Sequence, residues 1–262
     1  MINMSIDQGY LKVKGILILS ITFFLLGNAF ALETAEQVLN KGIEYANKGD
    51  YDRAISDFSK AIELKPNDAN AYFNRGNAYQ GEGRYDRAIS DFSKAIELNP
   101  NTANAYFIRG NAYQGEGRYD RAILDFSKAI EFSPNAANAY FSRGNAYQNK
   151  GDDDRAISDF SKAIKLNPNA ANAYFSRGNA YQNKGDYDRA ILDCTKAIEL
   201  NPNDANAYLS RVNAYYQKKE YDKALADMHK IEALGGKPNP AFLAVLKKAS
   251  GNKKINVYLI PK

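Results

Sequence analysis

The fifteen residues NAYFSRGNAYQNKGD occur at 138–152 and again, unchanged, at 172–186. A chain that restates itself at a fixed step is built from stacked units, each too small to bury its own apolar side. The step is 34 residues. Gly76, Gly110, Gly144 and Gly178 keep it, as do Tyr45, Tyr79, Tyr113, Tyr147, Tyr181 and Tyr215. Pro66, Pro100, Pro134, Pro168 and Pro202 keep it too. With Ala35, Ala69, Ala103, Ala137, Ala171 and Ala205 as position 1, residues 32–238 hold six units: 35–68, 69–102, 103–136, 137–170, 171–204 and 205–238.

Each unit predicts two helices. In 69–102, Tyr72, Gly76 and Tyr79 fall on one stripe at i, i+4 and i+7. Ala88, Phe92, Ala95 and Ile96 form the stripe of the second helix. Gly83 accepts the left-handed backbone that ends the first, and Pro100 stops the second. Asp86 suits the positive end of the second helix, and Asn101 is expected to cap the helix that follows. Small Gly76 and Ala88 let two backbones approach, with aromatic rings filling the wider space.

The string Tyr72-x2-Arg75-Gly76-x2-Tyr79…Ala88-x3-Phe92-x2-Ala95…Pro100 resembles the tetratricopeptide repeat, in register six times over 35–238. The resemblance implies an all-α, right-handed superhelical solenoid whose first helices line a concave face. The chain departs from the family with Tyr72 for tryptophan and Arg75 for leucine. Its last unit is irregular, with Val212, Met228 and Gly236 where glycine, phenylalanine and proline are expected. A terminal unit lacks a neighbour and needs a cap. Residues 239–250 predict one, an amphipathic helix burying Phe242, Leu243, Leu246 and the stem of Lys247. A basic tail, 251–262, follows; from Lys237 onward there are six lysines and no acids. Such a run is usually a solvated face.

Position 7 holds a cation in every unit: Lys41, Arg75, Arg109, Arg143, Arg177 and Arg211. Position 23 holds an acid in every unit: Asp57, Asp91, Asp125, Asp159, Asp193 and Asp227. An arginine on an apolar stripe needs a partner, because an unpaired buried charge is costly. The two positions are therefore expected to form a charge pair between helices.

A second stripe suggests binding. Position 2 is Asn70, Asn104, Asn138, Asn172 and Asn206; position 9 is Asn77, Asn111, Asn145, Asn179 and Asn213. Seven residues is two helical turns, so the two share a face. Phe73, Phe107, Phe141 and Phe175 stand between them at position 5, with Leu209 in the sixth unit, and Gln80, Gln114, Gln148 and Gln182 follow at position 12. The resemblance places this stripe on the concave face. Amides donate and accept, so they can hold a peptide backbone without reading its sequence. Some relatives grip a terminal carboxylate with lysine and arginine in the groove; here positions 2, 5 and 9 carry no cation.

Catalysis has little support. His229 is the chain's one histidine and has no paired nucleophile; Cys194 is its one cysteine and sits where other units carry phenylalanine. These counts exclude thiol clusters and most histidine metal sites, and no cofactor is expected. GEGRYD at 81–86 and 115–120 joins helices rather than following a strand, so it does not predict a phosphate loop. Residues 1–31 read as a cleaved signal peptide: Lys12 and Lys14, the apolar run 15–27, then Ala29 and Ala31 before the cut. The product is expected in the periplasm or secreted, with membrane contact only if that segment stays uncleaved. Nucleic acid is not an expected partner for an exported chain with mixed charge. The sequence therefore points to a non-catalytic scaffold that holds a protein or peptide in its groove. A glycan- or cell-wall-binding solenoid and an accessory subunit of an enzyme complex are the alternatives.

Overall fold

The computed structural model describes residues 33–251, and the proposed signal and most of the basic tail lie outside the described residues. Thirteen helices follow one another in it: α1 (Ala35–Asn47), α2 (Tyr51–Leu64), α3 (Ala69–Gly81), α4 (Tyr85–Leu98), α5 (Ala103–Gly115), α6 (Tyr119–Phe132), α7 (Ala137–Asn149), α8 (Asp153–Leu166), α9 (Ala171–Asn183), α10 (Tyr187–Leu200), α11 (Ala205–Gln217), α12 (Tyr221–Ala233) and α13 (Pro240–Ala249). Each packs on the next, giving six hairpins in a right-handed superhelical solenoid closed by α13. No described helix is long and apolar enough to cross a membrane.

Within each hairpin a turn residue takes positive φ. Gly49, Gly83, Gly117, Gly151 and Gly185 lie at φ 72–78°, while Lys219 holds the same place at φ 62°. Odd-numbered helices start with uneven chemistry. Thr34 and Gln37 form a reciprocal cap on α1, and Asp68 and Asp204 cap α3 and α11. Thr102, Ala136 and Ala170 stand at the starts of α5, α7 and α9 and make no side-chain cap bond. Asn101, expected to cap α5, lies one residue too early. Alanine at an N-cap forgoes about 0.5–2 kcal/mol relative to aspartate or asparagine.

The hairpins close on a glycine–aromatic contact. A Cβ on Gly76, Gly110 or Gly144 would stand 2.6–2.7 Å from the ring of Phe92, Phe126 or Phe160. All three rings are fully buried. In the fifth hairpin Cys194 replaces the ring, and a Cβ on Gly178 would meet its Sγ at 3.1 Å. In the sixth, Val212 and Met228 are both buried. The irregular unit thus moves volume from one side of the contact to the other, the swap cores tolerate best.

The cap keeps the period. Asn239 lies 34 residues after Ala205, which makes Phe242 the counterpart of Tyr208 and Leu246 the counterpart of Val212. Helix α13 is a seventh first helix without its partner. Asn239 caps it and Pro240 opens it. Leu246 is fully buried against the last hairpin. Phe242 meets Tyr216 edge-on, ring centres 5.4 Å apart.

Candidate functional site

The position-7 arginines are structural. Arg75 donates to Asp91 through Nε (2.7 Å) and Nη2 (2.9 Å), and its Nη1 donates to Ser59 of the preceding hairpin at 3.0 Å. Ser59 in turn donates to the Ile55 carbonyl on its own helix. The same three arginine bonds recur for Arg109, Arg143 and Arg177, with Ser93, Ser127 and Ser161, and for Arg211 with Thr195. These arginine side chains are 15–20% exposed and their aspartates 7–9%. The paired carboxylate raises the guanidinium pKa of Arg75, Arg143 and Arg177, against the opposing pull of burial. Each guanidinium also lies over two rings; for Arg143 these are Tyr140 and Tyr147, at 5.7 and 6.0 Å. A planar, five-donor group is thereby satisfied between two hairpins. The first hairpin differs. Lys41 is 4.0 Å from Asp57, whose Oδ2 is buried without a hydrogen bond.

The amide stripe divides in two. At position 2, Asn70, Asn104, Asn138, Asn172 and Asn206 are all exposed. At position 9, Asn77 and Asn213 are exposed, while Asn111, Asn145 and Asn179 are half-buried. Asn179 accepts a short hydrogen bond from Ser210 of the next hairpin. Position 12 faces the junction. Gln182 donates to the Ser210 carbonyl at 2.9 Å, and Gln148 to the Ser176 carbonyl at 3.5 Å. Gln114 and Gln80 are half-buried, and Gln114 Oε1 has no partner. The glutamine row therefore belongs more to the seams than to an open surface. The family resemblance put the stripe in the groove, and the i, i+3 and i+7 spacing shares a face without saying which residue meets the neighbouring helix.

The position-5 rings are half-buried. Phe73, Phe107 and Phe141 tilt against Phe92, Phe126 and Phe160, centres 5.6–5.8 Å apart. Phe175 has no ring to meet, since Cys194 replaces it, and packs against the buried cluster that includes Ala197 and Ala207. Leu209, at the same position, is 44% exposed. Beside each of the first three rings is a small cavity that the sequence did not announce. Phe73 lines one of 150 Å³, and Phe107 and Phe141 line two of 170 Å³. Each lies where one hairpin meets the next, between the position-2 asparagines of both. The signal was present as an alanine row, Ala95, Ala129 and Ala163, which one reads first as close helix packing.

His229 and Cys194 stay apart from this surface. Burial pushes the Cys194 thiol up, so it is a protonated core group. Among the described residues no three or more His, Cys, Asp or Glu side chains are grouped to hold a metal ion.

Six hairpins, one chemistry at every seam and a terminal cap define a helical-repeat solenoid. Family models described as tetratricopeptide repeat match residues 69–102, 137–170 and 171–204, and also 92–123 and 194–226. A model described as TPR repeat matches 42–83 and 115–151. The chain belongs to the tetratricopeptide-repeat family. It is similar to the crystal structure of MamA, at 32% identity, with 63% of this chain and 96% of that one covered and a TM-score of 0.60. It is similar also to YrrB, described as a TPR protein with an unusual peptide-binding site, at 25% identity over 72% of this chain and 97% of that one (TM-score 0.62). A tetratricopeptide-repeat protein of Parabacteroides merdae shares the fold at 19% identity, covering 85% and 94% of the two chains with a TM-score of 0.69. An uncharacterised protein of Methanocaldococcus jannaschii is 45% identical over 42 residues, which is 16% of this chain and spans about half (49%) of that protein.

Proposed function

We propose that the chain is a non-catalytic scaffold that holds an extended peptide segment of a partner protein along its first helices, after export across the cytoplasmic membrane. One observation carries the binding reading. The position-2 asparagines are exposed in every hairpin that has them, and among the described residues their side-chain amides bond no neighbouring hairpin; Asn138 Oδ1 accepts from the Ala139 amide on its own helix. Five amides in series can each give a peptide backbone a hydrogen bond, contributing about 0.5–1.5 kcal/mol net. YrrB, a TPR protein with an unusual peptide-binding site, supports the same class of ligand. Sugar rings stack on open aromatic faces, and the position-5 rings are tilted against other rings, which favours a peptide over a glycan.

The test is capture of partners from an envelope extract, before and after glycan digestion. Wild-type chain is compared with Asn104→Ala, Asn138→Ala and Asn172→Ala combined. The triple variant is expected to lose the captured protein while its melting temperature stays within about 2 °C, as for surface changes. Unchanged capture defeats the groove reading, and capture abolished by glycan digestion moves it to the wall-binding alternative. Export is checked by mass spectrometry of the mature N-terminus, expected at Leu32.

A further inference from the structure

We propose that the groove selects uncharged peptide in the polyproline-II conformation, with a small apolar side chain at every third residue, one per hairpin. The inference rests on the peptide-groove reading and adds the ligand's chemistry and period to it.

Three successive junctions carry the argument. Their cavities measure 150, 170 and 170 Å³ and repeat one lining. In the middle one Phe107 and Ala129 sit with Ala136 and Ala139, between Asn104 and Asn138. A cavity of about 150 Å³ takes a group the size of benzene, so each suits a valine, proline or leucine side chain. Charged residues make up 25% of the chain, yet none lines any of the three. A ligand carboxylate or ammonium would be desolvated there without a partner, so the complementary segment is neutral.

The helix starts agree. Asp68 and Asp204 cap the first helices at the end junctions. The residues at that place in the three cavities are Thr102, Ala136 and Ala170. Helix stability is given up where an aspartate would put charge beside a cavity.

The period follows from two lengths. Where successive first helices touch, as α5 with α7 and α7 with α9, they lie about 8–10 Å apart. A polyproline-II segment returns the same face every three residues, or about 9 Å. A β-strand returns it every two, at about 7 Å and then 13 Å, and misses the next cavity. The polyproline-II conformation is in step with the array and the strand is not.

The test uses three fluorescein-labelled twelve-residue peptides and the full chain, read by fluorescence anisotropy. One is Val-Pro-Ser four times over. The second holds the same residues with the four valines together, and the third is Val-Pro-Glu four times over. The first is expected to bind at least tenfold tighter than either other. A double variant, Ala136→Asp with Ala170→Asp, is expected to weaken the first peptide at least tenfold. Its melting temperature should hold or rise, because each aspartate caps its helix as Asp68 does. Equal affinity for the first two peptides removes the period, and equal affinity for the third removes the neutrality. A double variant that stays folded and binds undiminished overturns the cavity assignment; if it unfolds, the ranking of the three peptides on the unaltered chain decides. No binding by any peptide overturns this inference, while the groove reading is judged separately by the asparagine triple variant.

Discussion

Arg143 holds Asp159 through two parallel hydrogen bonds of 2.7 and 2.9 Å, and the same guanidinium reaches Ser127 of the preceding hairpin at 2.9 Å. One side chain therefore ties a hairpin internally and to its neighbour. Removing the acid strands a cation that is about four-fifths covered. Removing the hydroxyl leaves the bidentate pair intact.

The first prediction follows from that asymmetry. Asp125→Ala is expected to cost about 3 kcal/mol, toward the lower end for a buried pair because Arg109 keeps some water contact. Lys94→Ala, which breaks an exposed pair with Glu97, is expected to cost less than about 1 kcal/mol. Urea unfolding of both variants measures the difference, and equal losses would show that the pair adds nothing.

Closeness at the glycine gives a second. Gly144→Ala drives a methyl group into the Phe160 ring and is expected to cost about 1–3 kcal/mol. Gly178→Ala meets the Cys194 sulfur at 3.1 Å, with the Ala190 carbonyl oxygen and Asp193 Cβ at an ordinary 3.4 Å, and should cost clearly less. Calorimetry of the two single variants orders them. The reverse order would mean that the ring yields more easily than the sulfur.

The sixth hairpin keeps a lysine where five others have glycine, at φ 62°. Left-handed backbone costs a non-glycine residue about 1 kcal/mol. Lys219→Gly should therefore raise the melting temperature by a few degrees. No change would mean that Lys219 recovers the cost through contacts of its own.

Acid should loosen the turns that use aspartate. Asp152 accepts from the Arg155 amide and pairs with its guanidinium, and Asp186 does the same with Arg189. Those side-chain bonds hold both carboxyls below the ordinary aspartate value. A depressed carboxyl gives stability that is present above the unfolded value, near pH 4, and lost as pH falls through the folded one. Asp152→Asn with Asp186→Asn keeps a capping oxygen and removes the titration. Its melting temperature should fall less steeply than wild type between pH 4.5 and 2.5, read by circular dichroism. Parallel curves would exclude these groups as a source of acid sensitivity.

The fold was legible because its local signals kept one 34-residue step, tyrosine in all six units and proline in five. Tyrosine, glycine and proline at a 34-residue step leave little else for the chain to be, and the Arg75–Asp91 pairing could be read from a cation and an acid that occur together in every unit. The proposed binding surface was half legible. Exposure at Asn104 and Asn138 follows from position 2 lying in the first turn of each first helix. Burial of Gln148 and Gln182 does not, because it depends on how far one hairpin rotates against the next, and no single repeat encodes that angle. The cavities were hidden for a related reason. Ala129 on a helix signals either tight contact or empty space, and only the neighbour's position decides which.

Each joining arginine stands sixteen residues after its hydroxyl partner and sixteen before its carboxylate. Every interior joint uses this one arrangement, so a joint carries no record of which hairpins it joins. Excising residues 103–136 would bring Arg143 to Ser93 with the ladder closed again. Copy number is then a free variable for the gene. Whole units can be lost or duplicated by recombination without inventing a new seam, and the length of segment the proposed groove would hold changes in whole steps, like marks on a ruler.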